Sequence, residues 1–161
     1  TTKPFNCSFD NGICGWTQDQ QDDFDWSEIA GQTQTLGTGP PSAHGGKGYY
    51  LYIEASYKRY GQKARLVSPL VKSVGMICVS VYYYMYGSDV KDFKIYVVSG
   101  SNSPQQIFTK SGSSRWRWIQ AQVQFQTLSP FNVILEATRG RGIRGDIAID
   151  DVAVNEGFCK R

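Results

Sequence analysis

Along WIQAQVQFQ, residues 118–126, apolar and polar side chains alternate one by one. Ile119, Ala121, Val123 and Phe125 fall on one side of an extended chain, and glutamines fall on the other. A period of two predicts a strand with one buried face. DFKIYVVSG (92–100) alternates in the same way. GYYLYIEA (48–55) is aromatic and rich in strand formers, ARLVSP (64–69) stops at Pro69, and ICVSVYYYMYG (77–87) runs to Gly87. QQIFTK (105–110), FNVILEATR (131–139) and GDIAIDDVAV (145–154) complete eight predicted strands, with weaker ones at CGWTQ (14–18) and DWSEIA (25–30). No segment keeps a helical period over eleven or more residues. Strands following one another without intervening helices predict an all-β antiparallel sandwich or jelly roll.

The last strand breaks its own pattern. Ile147 and Ile149 share one parity, Val152 and Val154 the other. A regular strand cannot bury both pairs on one face. A β-bulge at Asp150–Asp151 restores the phase and re-aims the carboxylates. Such acids have two readings. They cap turns and pair with Arg139, Arg141 and Arg144, or they hold a hard cation, Ca²⁺ or a weaker Na⁺, through oxygen ligands. For the cation, Asp10, Asp23 and Asp150 form the candidate set, although the spacing is not that of an EF-hand.

Composition narrows the class. Of 161 residues 40% are hydrophobic and 14% aromatic, with ten Tyr and 17 Gly, enough for one domain with a sizeable core. Residues 1–4 are taken as linker or expression residue, and 5–161 as the domain. The net charge of +3 is too small to dictate a partner. No apolar run is long enough to span a membrane, and no charged-apolar-small leader opens the chain, so any signal peptide is expected to have been removed. Cys7, Cys14, Cys78 and Cys159 are even in number and lack a C-x-x-C, and His44 is the single histidine, so zinc is poorly supplied. Two disulfides in a secreted or cell-surface protein are expected. Of the three pairings, a local Cys7–Cys14 loop with Cys78–Cys159 tying the C-terminus to a central strand is favoured.

Several blocks together resemble the MAM domain, the extracellular module of meprins, neuropilins and receptor tyrosine phosphatases. FNCSFDNGICGW is similar to the family's opening, DDFDW (22–26) to its acidic-aromatic motif, and RGRGIRGDIAIDDV (139–152) to its C-terminal signature. TGP (38–40), GYYLYIE, ARLVSP, YMYGSDV (84–90), Trp118 and Cys159 fall where the family has its remaining blocks. The resemblance covers about Phe5 to Cys159. It implies a jelly-roll-like β-sandwich with two disulfides, first to second and third to fourth, and a role in adhesion and protein association, homophilic or heterophilic. Related jelly rolls place a structural cation between the N-terminal segment and the last strand, which suits Asp10 and Asp150. One departure stands out. The family's Asp-His-Thr after the Gly-Pro loop is replaced by Ala43-His44-Gly45.

The remaining chemistry points to binding. RWRW (115–118), YKRYGQKAR (57–65) and RGRGIRG (139–145) are basic, and suit an anionic glycan or an acidic protein surface rather than nucleic acid. Alternation in RWRW instead predicts tryptophans in the core and arginines in water. Catalysis by His44 would need a nucleophile that oxidised cysteines cannot supply. A paired-carboxylate glycosidase finds only Glu54 and Glu136, single acids on different strands. No enzyme is therefore expected. Asn6-Cys7-Ser8 fits the N-glycosylation pattern at Asn6. The long polar loop 31–48 either carries function or covers a sheet edge. The expected function is a non-catalytic recognition module for protein partners. The alternative is a lectin-like module using Tyr82, Tyr84 and Tyr86, which share one face, unless that face is core in place of Val79, Val81, Tyr83 and Met85.

Overall fold

The computed structural model describes residues 5–35, 37–56, 58–100 and 102–160. Ten strands carry the architecture: β1 (Thr17–Gln18), β2 (Ser27–Ala30), β3 (Tyr49–Ile53), β4 (Lys63–Val67), β5 (Gly75–Tyr84), β6 (Asp92–Val98), β7 (Gln105–Ser111), β8 (Ile119–Thr127), β9 (Asn132–Thr138) and β10 (Ile147–Glu156). They form two antiparallel five-stranded sheets, ordered β1-β4-β9-β6-β7 and β2-β3-β10-β5-β8. The fold is a jelly-roll-like β-sandwich. Consecutive strands repeatedly lie in opposite sheets, so most of the pairing is long-range.

Parity decides what lies between the sheets. The first sheet turns Ala64, Leu66, Phe93, Ile95, Val133, Leu135 and Ala137 inward, all fully buried. The second contributes Leu51, Ile53, Ile77, Val79, Val81, Tyr83, Ile147 and Ile149. Each Val, Leu, Ile or Phe among them contributes about 1.5–3 kcal/mol by leaving water. A one-residue slip in any of these strands would exchange its core set for its outer set. Trp26 locks the DDFDW segment to this core: its ring meets Phe93 edge-on, and its Nε1 donates to the Leu135 carbonyl.

Part of the outer face of the second sheet is covered, although the glutamines of β8 on that face remain exposed. Tyr50, Tyr52, Tyr84 and Ala148 form a second apolar cluster there with Ala43, Ile29 and Trp118. The 31–48 loop closes over it. Tyr50 Oη donates to the Gly31 carbonyl, and Trp118 Nε1 donates to the Ser42 carbonyl. The loop thus covers a sheet face rather than an edge. β5 ends at Tyr84, earlier than the sequence pattern predicts, because loops take the next carbonyls: Ser114 N donates to Met85 O, and Gly39 N to Tyr86 O.

The RGRGIRG segment folds around Asp89. The Asp89 carbonyl lies where a Cβ on Gly140 would stand, and the Asp89 carboxylate occupies that place for Gly142. Asp89 N donates to Arg144 O, while Arg144 N donates to Asp89 Oδ2. The glycines are therefore demanded by close approach. Cys7 pairs with Cys14, and Cys78 with Cys159.

Candidate functional site

The bulge lies where the phase of the last strand placed it. β10 pairs with β5 through Asp150 opposite Tyr82 and resumes at Ala153 opposite Ser80, one extra residue on β10. Asp151 supplies the kink with φ of 49°. Val152 turns to the opening segment, exchanging backbone hydrogen bonds of 2.9 and 3.0 Å with Cys7. Val152 and Val154 consequently reach the same core as Ile147 and Ile149.

Three acids line this seam: Asp150 is buried, Asp151 carries the positive φ, and Asp10 is exposed. Both oxygens of Asp150 accept backbone N–H groups: Oδ1 from Asp151 at 2.8 Å, Oδ2 from His44 at 3.0 Å. Burial, with repulsion from Asp151 and Asp10, pushes its carboxyl up to about 7 against the pull of those two donors. Asp151 Oδ2 lies 2.7 Å from His44 Nδ1. The His44 ring stacks on Tyr82 at 3.6 Å between centroids and meets Trp118 edge-on. Asp10 Oδ1 accepts from Tyr49 N at 2.9 Å, and its carboxylate fills the place of a Cβ on Gly48, whose φ is 91°. Asn6 Oδ1 accepts from Val154 N, fastening the same segment to β10.

The cation set predicted from sequence separates in the structure. Asp10 and Asp150 stand together beside the second sheet. Asp23 belongs to the first: its Oδ2 accepts from Lys63 N, beside Asp22, which accepts from Arg65 N. Among the described residues no three His, Cys, Asp or Glu side chains group as a metal site. Of the arginines in the alternative reading, Arg139 reaches Asp146, the first acid of the last-strand segment, rather than Asp150 or Asp151. Its guanidinium donates to the Ala55 and Gly140 carbonyls.

The tyrosine platform is closed. Val79, Val81, Tyr83 and Met85 are the core parity, as one of the two readings had it. Tyr82 and Tyr84 do share the outer face, but Tyr84 is buried in the aromatic cluster and Tyr82 lies under His44. The RWRW expectation is half overturned. The segment is not extended, since Arg117 N donates back to Arg115 O, and only Trp118 is drawn inward. Trp116 stands 72% exposed, stacked on Tyr86 at 5.9 Å and 25°. Arg115, Arg117 and Arg144 are exposed around it, and Arg144 shares with Tyr86, Gly37, Ser88 and Ser113 a shallow depression of about 340 Å³. Sequence reasoning missed this pair because parity predicts facing only inside a strand.

The profile of the MAM domain, meprin/A5/mu, matches residues 7–160. The chain belongs to the MAM domain family. It is 42% identical over 166 residues to MAM domain-containing glycosylphosphatidylinositol anchor protein 1 of Gallus gallus, covering 96% of the chain and 18% of that protein. It is 38% identical over 160 residues to thyroid hormone-induced protein B of Xenopus laevis, covering 97% of the chain and 23% of that protein. This MAM domain thus spans about a fifth of the length of such relatives. Among solved structures it is similar to a cleaved adhesin domain of Lys-gingipain from Porphyromonas gingivalis, with a TM-score of 0.71 at 13% identity over 94% of the chain and 97% of the other. A family 16 carbohydrate-binding module gives 0.59 at 17% identity over 92% and 96%. At such identities the likeness is one of fold. With two disulfides and this family, the MAM domain is extracellular. No helix among the described residues is long and apolar enough to cross a membrane.

Proposed function

We propose that the domain is an extracellular, non-catalytic recognition module whose Tyr86–Trp116 end docks on an acidic protein surface, and that a second copy of the chain supplies such a surface. The exposed aromatic stack carries this reading. A tryptophan 72% exposed and propped by a tyrosine is a rigid apolar anchor, and Trp, Tyr and Arg are the side chains that dominate protein interfaces. Arg115, Arg117 and Arg144 set the sign of the partner. Asp23, Asp25 and Glu28 are exposed on the chain itself and offer the complementary charge. A sulfated glycan would also meet the arginines, but Trp, Tyr and Arg exposed together are the composition of a protein-interface hot spot, so a protein is the better fit.

Sedimentation velocity over a concentration series tests this reading. The wild type is expected to associate with rising concentration and to dissociate as salt is raised. Trp116→Ala is expected to weaken association about tenfold or more, the effect of a removed hot spot. A wild type that sediments as a monomer throughout contradicts the homophilic reading, and association unchanged in Trp116→Ala moves the contact elsewhere.

A structural cation at the bulge seam belongs to the same reading. Asp10 and Asp150 fit it in part, being neighbouring carboxylates on an N-terminal loop and a last strand that must be held together. Calcium or sodium bound there would neutralise their repulsion and fasten the disulfide loop to β10, leaving the recognition end unchanged.

A further inference from the structure

The outer face of the first sheet carries a cavity that neither the aromatic end nor the bulge uses. Arg65 on β4, Glu136 on β9 and Lys94 on β6 lie in one cross-strand row, with Val67, Ile134 and Tyr96 in the next. Over these rows Tyr96, Pro104 and Ile134 face Asp19, Lys63, Arg65 and Glu136 around a cavity of about 390 Å³. A sugar ring or two fit such a volume.

Glu136 is the informative residue. Its side chain is only 2% exposed, although it sits on the outward parity. Oε2 accepts from Arg65 Nε at 2.7 Å, while Oε1 has no partner among the described residues. Buried polar atoms are normally satisfied, and a native exception asks for an explanation. Arg65 is under-used as well. Among the described residues its guanidinium adds to Glu136 a 3.9 Å approach from Nη1 to Asp19 Oδ2 and the nearby charge of Asp22, which leaves donors of its fork for another partner.

The geometry points to a neutral saccharide as the ligand of this cavity. A vicinal diol gives a hydroxyl hydrogen to Glu136 Oε1 and a lone pair to Arg65, a pairing that an alkyl or purely anionic group cannot supply. The lining charges cancel, two cationic side chains against two carboxylates, so net charge gives a sulfated or carboxylated sugar no advantage. Tyr96, Ile134 and Pro104 offer an apolar wall for the C–H face of a pyranose ring. This site is separate from the covered tyrosine face of the second sheet and from Tyr86–Trp116, so its failure would leave the protein-docking reading intact.

The test is an NMR titration of backbone amides with neutral hexasaccharides of glucose, galactose, mannose, xylose and N-acetylglucosamine, and a heparin hexasaccharide as the anionic arm. One neutral sugar is expected to move the amides of Lys63, Arg65, Tyr96 and Ile134, and heparin is not. Tyr96→Ala leaves the Arg65–Glu136 pair in place and is expected to weaken that binding about tenfold. Glu136→Gln keeps the shape, puts an amide where the carboxylate stood, and is expected to do the same. Silence at these amides across the panel, a preference for heparin, or full-strength binding by Tyr96→Ala would each overturn the assignment.

Discussion

Replacing Cys78 and Cys159 together by serine is expected to destabilise the domain by about 4.5 kcal/mol, on the chain-entropy account of cross-links. The bridge closes a sequence separation of 81 residues, and the Cys7–Cys14 bridge one of seven. The same account gives the shorter loop about 2.5 kcal/mol. The two bridges also differ in what they hold. Cys78 lies in β5, between β10 and β8 in the second sheet, whereas Cys159 follows β10 in a tail that β8 already grips: Gln124 Oε1 accepts from Cys159 N, and Gln122 Nε2 donates to Lys160 O. Those side-chain contacts are exposed and cannot replace the bridge once the chain unfolds. A small domain has roughly 5–15 kcal/mol of stability, so the long bridge is a large share of it. Denaturant midpoints of the two double variants measure this directly. Equal losses, or a larger loss for Cys7/Cys14, would contradict the account.

Stability is also expected to fall as pH rises from 5 to 8. Asp146 is fully buried; its Oδ1 accepts from Ala55 N at 2.8 Å, and Oδ2 has no partner among the described residues. Burial, with repulsion from Glu54, pushes it from an ordinary 3.8 up to about 7, against the Ala55 N–H and the Arg139 charge. The folded domain therefore keeps a proton that the unfolded chain gives up. The contribution is full below about pH 4 and is lost as pH rises through 7, at no more than about 1.4 kcal/mol per pH unit. Thermal melts in chelator are expected to show a lower midpoint at pH 8 than at pH 5, and Asp146→Asn is expected to reduce the difference to the share that Asp150, raised in the same way, contributes. A midpoint that is flat or rising would contradict this placement of the proton. The same melts examine the seam. Millimolar calcium is expected to raise the pH 8 midpoint, and Asp150→Asn to abolish the response; a wild type indifferent to calcium removes the cation.

Much of the fold was legible because sheets write their facing into the sequence. The alternation of Ile119, Ala121, Val123 and Phe125 reports the buried side of β8, and the parity change between Ile149 and Val152 reports the bulge. What stayed hidden depends on contacts that span the chain. His44 reaches Asp150 and Asp151 from more than 100 residues away, so a lone histidine in a glycine-rich loop gave no sign of its partner. Tyr84 reads, in sequence, as part of either an exposed platform or a core face, because parity names a face without saying whether a loop covers it. Glu136 looked like a single acid on a strand, since its meaning comes from Arg65 on the neighbouring strand and from the cavity above. Asp23 was misplaced for a related reason. Acids that pin a loop to a strand through backbone N–H groups read, in sequence, like acids awaiting a metal.

The claim that the Tyr86–Trp116 end meets an acidic surface of a second copy is tested most directly by following backbone amide shifts as the domain is concentrated. The account predicts that two sets move together: residues 86–88, 113–117 and 144 on the aromatic-arginine end, and residues 23–28 on the acidic segment, both reverting on dilution or added salt. Shifts that do not change with concentration, or that change without touching Trp116 and its arginines, would contradict it.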